Sequence, residues 1–332
     1  MSALDLRSGY FQMAVNPNDI VKTAFVTKNG TYAFRRMPFG LSGAASNFQK
    51  AIDIILKPVI GKFVSVYMDD VIISSPSFTQ HVKHLKEVFR LLHKAGLTLN
   101  KDKCKFGWEE FKYLGLIINK EVNKTDETKV QAIVEMKPPH NSKEVSKFLG
   151  MSQWYAKFIK NYADICEPLY NLKRKLKRFI YIWLIEAQKA FDAVNAAITK
   201  APVLKFPDFK KPFELFTDAS SIGVGAVLNQ EQRPVVFASR TLNAAERNYT
   251  VTERECLAVV WALNKFRTYL GSLPIKVITD HAALTYLTTG KNLSNRMIRW
   301  ALKLAEFNIE WEHRPGTQNT IADVLSRNPI EV

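Results

Sequence analysis

Apolar and polar residues alternate with two different periods along residues 1–118. Four short runs rich in β-branched and aromatic side chains predict strands. These runs lie at residues 23–26, 63–67, 71–74 and 111–118. Apolar residues at helical spacing predict helices over residues 46–56 and 81–95. Short strands mixed with helices in this way are typical of an α+β domain.

The pattern turns mainly helical over residues 119–178. Residues 142–159 carry apolar side chains at near-helical spacing, which predicts an amphipathic helix. The segment closes on the basic run KRKLKR at residues 173–178. Such a run is either a solvated helix end or a surface that contacts phosphates.

Strand-like alternation resumes after a proline-containing linker, which we place at residues 179–205. Strands are expected at residues 213–217, 224–229, 235–238 and 275–279, and a helix at 253–269. Two more helical pieces follow the last strand. Residues 206–329 therefore predict a separate mixed α/β domain, and the whole chain is expected to be multidomain.

Charge narrows the class of partner. Lys and Arg total 47 against 31 Asp and Glu, which gives a net charge of +16. Such an excess favours nucleic acid, because phosphate contacts release counterions. The three cysteines lack the spacing of a zinc or disulfide framework, which fits a reducing compartment. No window approaches the roughly 20 apolar residues that span a bilayer, so we expect a soluble intracellular protein without a membrane partner.

Two adjacent aspartates interrupt the otherwise apolar or small stretch FVSVYMDDVIISS. The pattern suits a hairpin with Asp69 and Asp70 at its tip, and an acidic turn without chemistry is the alternative. Asp5 follows a short run ending in Leu4, so it too is expected at a strand end. Three converging carboxylates would repel one another unless cations neutralised them, and acidic oxygen-rich sites suit Mg²⁺. Two such ions can support phosphoryl transfer.

Four more acids lie at expected strand ends and helix starts of the C-terminal domain. They are Asp218, Glu255, Asp280 and Asp323. Each has a structural alternative: Asp218 can open a turn, and Asp280 stands where a helix N-cap is expected. Glu255 has capping-box spacing to Thr252, and Asp323 is one acid on a short helix. Their concentration in one small domain predicts a second metal cluster.

Three segments resemble successive motifs of gypsy-type long-terminal-repeat retrotransposon reverse transcriptases. They are DLRSGYFQ from Asp5, RRMPFGLS from Arg35 and YMDD from Tyr67, followed by GLTLNKDKC and FKYLGLII. In the C-terminal domain, TDAS, TERECLAVVWAL, TDH and HRPG leading to ADVLSR resemble the ribonuclease H domain of the same retroelements. The chain is thus similar to this region of a Pol polyprotein. It looks N-terminally truncated, since the first acid of the motif is already residue 5.

The resemblance implies both an architecture and an activity. A reverse-transcriptase palm with partial fingers is expected at residues 1–118, a helical thumb at 119–178, a tether at 179–205 and a ribonuclease H-like mixed-sheet domain at 206–329. Such a chain is expected to be an RNA-directed DNA polymerase that also cleaves the RNA of RNA–DNA hybrids, by two-metal phosphoryl transfer at both sites. The alternatives are a truncated protein with ribonuclease H activity alone and a non-catalytic nucleic-acid-binding remnant.

By the same resemblance the acids of both clusters hold two Mg²⁺ ions per site, with Mn²⁺ as a substitute. Those acids are Asp5, Asp69 and Asp70 in the polymerase, and Asp218, Glu255, Asp280 and Asp323 in the ribonuclease H domain. His313 is expected on a mobile loop, where it would help to release the product. An ordinary surface histidine is the alternative.

The remaining implied residues contact the nucleotide or the primer. Tyr10 is expected beneath the nucleotide sugar as a ribose gate, and a half-buried strand tyrosine is the alternative. Phe39 and Gly40 are expected to pack against the nucleotide and template base, and Lys103 to protonate the leaving pyrophosphate unless it is a solvated lysine. In an extended segment Lys101, Lys103 and Lys105 would share one face. The primer grip is expected at Tyr113, Leu114 and Gly115.

The implied partners are an RNA template, a DNA primer, RNA–DNA hybrid and deoxynucleoside triphosphates, together with the protease and integrase of the same polyprotein. Contacts to the hybrid are expected to follow groove shape and 2′-hydroxyls more than base identity. The expected location is the cytoplasm, inside virus-like particles, with access to the nucleus left open.

Overall fold

The computed structural model describes residues 1–119, 121–175, 185–271, 273–282, 284 and 294–314, without the side chains of 174 and 175. The chain divides into two units, Met1–Phe111 and Lys112–Val332. Among the described residues, none of the helices has the length and apolar character needed to cross a membrane.

Short strands and three helices make up the first unit. Its strands are β1 (Ser2–Asp5), β2 (Phe25–Thr27), β3 (Gly30–Tyr32), β4 (Val64–Tyr67) and β5 (Asp70–Ile73). Its helices are α1 (Gly9–Gln12), α2 (Ala44–Leu56) and α3 (Phe78–Lys94), with a 3₁₀-helix at Pro17–Thr23. β1, β5 and β4 form an antiparallel sheet in that order, and β2 pairs with β3.

Helix α2 buries Phe48, Ile52 and Leu56, which lie four residues apart and so share one face. This face and α3 pack with the sheet in a single apolar core. Helix α3 begins earlier than predicted because the Ser77 hydroxyl accepts a hydrogen bond from the Gln80 amide and caps the helix. Both predicted helices are confirmed.

The second unit begins with a four-stranded sheet and a group of helices. The strands are β6 (Phe111–Tyr113), β7 (Leu116–Ile118), β8 (Val122–Thr125) and β9 (Leu204–Lys205), in that order. The helices are α4 (Glu127–Val134), α5 (Ser142–Ser152), α6 (Tyr162–Ile165), α7 (Glu167–Lys175) and α8 (Ile185–Thr199). The helix predicted over residues 142–159 is realised as α5 and a 3₁₀-helix at Gln153–Phe158.

A mixed five-stranded sheet follows. Its strands are β10 (Phe213–Ala219), β11 (Gly223–Gln230), β12 (Arg233–Thr241), β13 (Ile275–Thr279) and β14 (Ile309–His313). They lie in the order β12–β11–β10–β13–β14, antiparallel up to β10 and parallel beyond it. Two described helices, α9 (Val251–Lys265) and α10 (Asn295–Leu304), belong to this part. The predicted mixed sheet is confirmed.

Neighbouring side chains of β10 face opposite sides of this sheet, and both sides are covered. Leu215 packs in one core with Val259 and Leu263 of α9. Phe216 packs in another core with apolar residues of α5 to α8, such as Phe191. The interval 179–205, expected as a tether, thus contains helix α8, whose buried face forms part of the domain core.

Candidate active sites

Asp69 and Asp70 lie at the tip of the predicted hairpin. Tyr67 pairs with Asp70 across β4 and β5, so Met68 and Asp69 form the turn, with Met68 at φ 53°. The Met68 amide donates to Gln49 Oε1 at 2.7 Å, which ties the turn to helix α2. Asp5 ends β1 directly opposite Asp70. The sheet therefore brings together the three acids that the sequence placed at strand ends.

These carboxyl groups disfavour one another's charge. Burial, and then the charge of Asp5, raises the pKa of both Asp69 and Asp70. Lys103 opposes this effect, and its Nζ lies 3.9 Å from Asp5 Oδ2. Asp69 Oδ1 is buried and has no hydrogen-bond partner. A carboxylate oxygen left in this state is suited to a cation.

Gly9 is a site residue that sequence reasoning missed. A Cβ at this position would lie 2.2 Å from Asp69 Oδ1 and 2.6 Å from Cζ of Phe48. Only glycine lets the chain pass this close to the aspartate. The signal is the SGY triplet directly after Asp5, but its meaning depends on contacts about 40 and 60 residues further on.

The structure brings Tyr10 next to Phe39. Their ring centroids are 5.2 Å apart, and Tyr10 also packs edge-on against Phe48 at 5.0 Å. Tyr10 is half-buried, but it lies in helix α1, so the strand placement of the alternative interpretation is wrong. Phe39 is 63% exposed, and Gly40 adopts φ 92° with open space where a Cβ would point.

Lys103 stands beside the first acidic cluster, but not on an extended segment. Residues 101–103 form a turn in which the amide of Lys103 donates to the Asn100 carbonyl oxygen at 3.2 Å. The extended arrangement with one shared lysine face is therefore wrong. Lys105 instead pairs with Ala3 of β1, and its ammonium lies over the ring of Trp108.

The expected primer grip is a tight β-hairpin between β6 and β7. Leu114 and Gly115 form its turn with φ 48° and 75°. The hydroxyl of Tyr155 donates to the carbonyl oxygen of Gly115 at 3.2 Å, so the 3₁₀-helix after α5 supports the turn. Tyr113 closes β6 just before it.

In the second unit, Asp218 and Asp280 stand at the same end of neighbouring parallel strands. Asp218 lies two residues beyond Phe216 and Asp280 two beyond Ile278, and Phe216 pairs with Ile278. Asp218 lies within β10 and does not open the turn between β10 and β11. That turn is held by Ser220, whose Oγ accepts from the amides of Ile222 and Gly223.

Glu255 lies on α9 and points to the same place. The capping box of this helix is formed by Thr250 and Glu253, so the capping interpretation of Glu255 is wrong. Glu255 is buried, and burial together with the charges of Asp218 and Asp280 raises its pKa to about 8. Its Oε2 has no hydrogen-bond partner. Asp323, the fourth predicted acid, lies outside the described residues.

His313 occupies the end of strand β14, where it pairs with Thr279. The mobile-loop placement is therefore wrong. Its Nε2 donates to the carbonyl oxygen of Asp280 at 3.2 Å, and the residue is exposed. The histidine thus neighbours the second acidic cluster through the backbone.

The donor sets of both clusters fit hard divalent cations in their chemistry. Each set consists of carboxylates, and each includes one buried oxygen without a partner. Within the described part of the chain, no three His, Cys, Asp or Glu side chains are already arranged as a closed metal site. The fit therefore rests on donor type and on the unfavourable mutual charge of the acids.

Comparison with protein families supports the two-part organisation. Residues 1–118 match the family described as reverse transcriptase (RNA-dependent DNA polymerase). Residues 208–307 match the RNase H-like domain found in reverse transcriptase. Each match falls on one of the two acidic clusters.

Solved structures share the fold. Foamy viral protease-reverse transcriptase in complex with RNA/DNA hybrid aligns with a TM-score of 0.80 at 24% identity, over 100% of this chain and 46% of that one. The dRH form of that protein in complex with ds DNA aligns with a TM-score of 0.84, also at 24% identity, over 94% and 56%. The predicted fold class is confirmed.

Polyproteins of mobile elements match the whole chain. It is 42% identical over 345 residues to the retrovirus-related Pol polyprotein from transposon opus of Drosophila melanogaster, covering 100% of this chain and 34% of that protein. It is 41% identical over 340 residues to that from transposon gypsy of the same organism, covering 99% and 33%. The chain thus spans about a third of these relatives. It belongs to the gypsy-type retrotransposon Pol polyproteins, as their reverse transcriptase and ribonuclease H-like region.

Proposed function

We propose that this chain copies RNA into DNA at the first acidic cluster and cleaves the RNA of RNA–DNA hybrids at the second. The observation that carries the proposal is common to both units: strand ends bring acids together, and one buried carboxylate oxygen in each cluster lacks a hydrogen-bond partner. Deoxynucleoside triphosphates, template, primer and hybrid are the proposed substrates. Protease and integrase of the same polyprotein are proposed partners.

At the first cluster, Asp5, Asp69 and Asp70 would hold Mg²⁺, with Mn²⁺ as a substitute. Bound metal would lower the pKa of the attacking oxygen and neutralise charge on the phosphates. Tyr10 and Phe39 form an aromatic wall that suits the sugar and base of a nucleotide. The ammonium of Lys103, which lies close to Asp5, would donate a proton to the leaving pyrophosphate.

At the second cluster, Asp218, Glu255 and Asp280 would hold the metal together with Asp323. The raised pKa of Glu255 means that its proton must leave before it can serve as a ligand at neutral pH. His313 is anchored by the backbone of Asp280, and its imidazole would help to release the product at the edge of this site.

Two substitutions separate the activities. Purified chain with Mg²⁺ is given a labelled RNA–DNA hybrid and, separately, a primed RNA template. Asp218→Asn is expected to reduce hybrid cleavage more than about a hundredfold and to leave primer extension intact, since metal sites supply several kcal/mol. Asp69→Asn is expected to do the reverse, so each variant is the control for the other.

Asp192→Asn serves as a matched control, because Asp192 is an exposed aspartate of α8 that bonds only to Gln188 among described residues. It is expected to leave both activities unchanged. Cleavage that persists in Asp218→Asn rejects the second site. Cleavage without any extension in the unaltered chain favours the alternative of ribonuclease H activity alone, and the absence of both favours a binding remnant.

A further inference from the structure

We infer that Asn161 and Asp164, which precede the C-terminal domain in sequence, are positioning residues of the second site and hold the strand end that carries Asp218. The inference rests on the proposed function of that site. Its basis is a set of close contacts that Asn161 and helix α6 make with the turn after β10 and with the strands β11 and β12.

Asn161 reaches the strand partner of Asp218. Asp218 pairs with Gly225 across β10 and β11. A Cβ on Gly225 would lie 2.2 Å from Asn161 Oδ1, so the carboxamide occupies the space of the missing side chain. Because directly paired residues face the same side of a sheet, the carboxamide lies on the side of the Asp218 carboxylate. Lys160, Asn161, Asp218 and Gly225 accordingly line one small pocket.

Asp164 fixes the turn that follows Asp218. Its Oδ2 accepts from Ser220 Oγ at 2.8 Å, and its Oδ1 takes the place of a Cβ on Gly223, which would lie 1.9 Å away. Arg254, next to Glu255, donates to the carbonyl oxygen of the same Ser220 at 3.0 Å. Ser220 therefore links Asp164 to both chain segments that carry these two acids of the site, Asp218 and Glu255.

Two more bonds hold α6 and the adjoining start of α7 in place. The Ala163 amide donates to Ser239 Oγ of β12 at 2.9 Å. Arg247 pairs with Glu167 of α7 at 3.3 Å. The charge of Asp218 also adds to burial in raising the pKa of Asp164, which is consistent with their proximity. Ligand groups must be held to within about 0.5 Å for productive geometry, so removal of these supporting groups is expected to weaken metal binding.

The test measures Mn²⁺ binding by electron paramagnetic resonance in the full chain, with Asp69→Asn and Asp70→Asn as the background so that only the second site is observed. Asn161→Gly removes the carboxamide and keeps the left-handed backbone, since Asn161 has φ 46°. Asp164→Ala removes the acceptor of Ser220, and Asp164→Asn restores it. Asp192→Ala on α8 is the matched control.

We expect Asn161→Gly and Asp164→Ala to weaken Mn²⁺ binding roughly tenfold, as loss of supporting groups around metal ligands does, while Asp164→Asn binds as the background chain does. Thermal melting in EDTA separates positioning from folding. If Asn161→Gly and Asp164→Ala both bind Mn²⁺ as tightly as the background chain, the inference is overturned, whether or not their melting temperatures fall. Failure of the background chain to bind Mn²⁺ would overturn the proposed second site itself, and the inference with it.

Gly225→Ala supplies a second test of the same inference. Alone it should displace Asn161, lowering both melting temperature and Mn²⁺ affinity. Combined with Asn161→Gly it should regain the melting temperature, because the clash is removed, but not the affinity. Recovery of both would mean that Asn161 only fills space, which contradicts a positioning role.

Discussion

Glu255 is a buried acid whose charged form is disfavoured by its surroundings. It is 8% exposed, and the charges of Asp218 and Asp280 add to its burial in raising its pKa to about 8, from an ordinary value of 4.5. Between pH 4.5 and 8 the unfolded chain has already released this proton while the folded chain keeps it. The free energy of unfolding therefore falls as pH rises through this window in metal-free protein.

Glu255→Gln should remove this dependence, because glutamine does not ionise. In EDTA at pH 8 the variant is expected to melt higher than the unaltered chain, by about 2–4 °C for each kcal/mol recovered, and at pH 5 the difference should shrink. Mg²⁺ should raise the melting temperature of the unaltered chain more than that of the variant. Equal melting curves at both pH values would contradict the assigned pKa.

Substitution of Gly9 tests the close approach of the chain to Asp69. Gly9→Ala places a Cβ against Asp69 Oδ1 and the fully buried ring of Phe48. We expect primer extension to fall more than tenfold while hybrid cleavage persists. Gly150→Ala is the matched control, since its Cβ meets nothing within 4 Å on helix α5. It should be neutral or stabilise by about 0.5–1 kcal/mol. Full extension by Gly9→Ala would contradict the close approach.

Among the elements, helix α9 depends on its N-terminal cap. The Thr250 hydroxyl accepts a hydrogen bond from the Glu253 amide, and the Glu253 carboxylate accepts one from the Thr250 amide. Thr250→Ala should lower the free energy of unfolding by about 1 kcal/mol, as measured by urea denaturation. Ser77→Ala at the start of α3 is the comparison. Hydrogen exchange should locate the effect of Thr250→Ala in the second unit and the effect of Ser77→Ala in the first unit.

The capping box also shows where sequence reasoning reaches its limit. The pattern Thr-x-x-Glu occurs twice in succession, from Thr250 and from Thr252, and local chemistry does not choose between them. The tertiary fold does, because it buries Glu255 beside Asp218 and Asp280 while Glu253 completes the cap. The bounds of strand β13, by contrast, were predicted correctly, because its largely apolar run lies between Pro274 and Asp280.

Contacts between distant segments account for the rest of what the sequence did not predict. The strand ends that hold Asp5, Asp69 and Asp70 follow from local alternation, whereas Gly9 gains its meaning from Asp69. In the same way, nothing near Asp164 in sequence indicates that Ser220 will bind it. Only the alternative interpretation placed Tyr10 on a strand, because a four-residue helix has too little periodicity to detect.

The net charge of +16 of the chain bears on how it would bind nucleic-acid duplexes. Exposed lysines such as Lys143 and Lys147 of α5 carry no carboxylate partner within 4 Å among the described residues. If they contact phosphates, binding should be insensitive to sequence and steeply dependent on salt, because each neutralised phosphate contributes a slope of about −0.9 in log affinity against log salt.

Two hybrids of unrelated sequence should therefore bind alike when titrated by fluorescence anisotropy in EDTA between 50 and 200 mM salt, a range over which proteins with several phosphate contacts lose affinity about a thousandfold. Lys143→Gln with Lys147→Gln should reduce the slope by up to about 1.8, which is about 0.9 for each phosphate that is no longer neutralised. Glu127→Gln with Glu135→Gln, which removes charges of the opposite sign at the two ends of α4, should not reduce the slope. A slope that is flat in the unaltered chain would reject binding through phosphates, and one unchanged by the lysine substitutions would move the phosphate-binding surface away from α5.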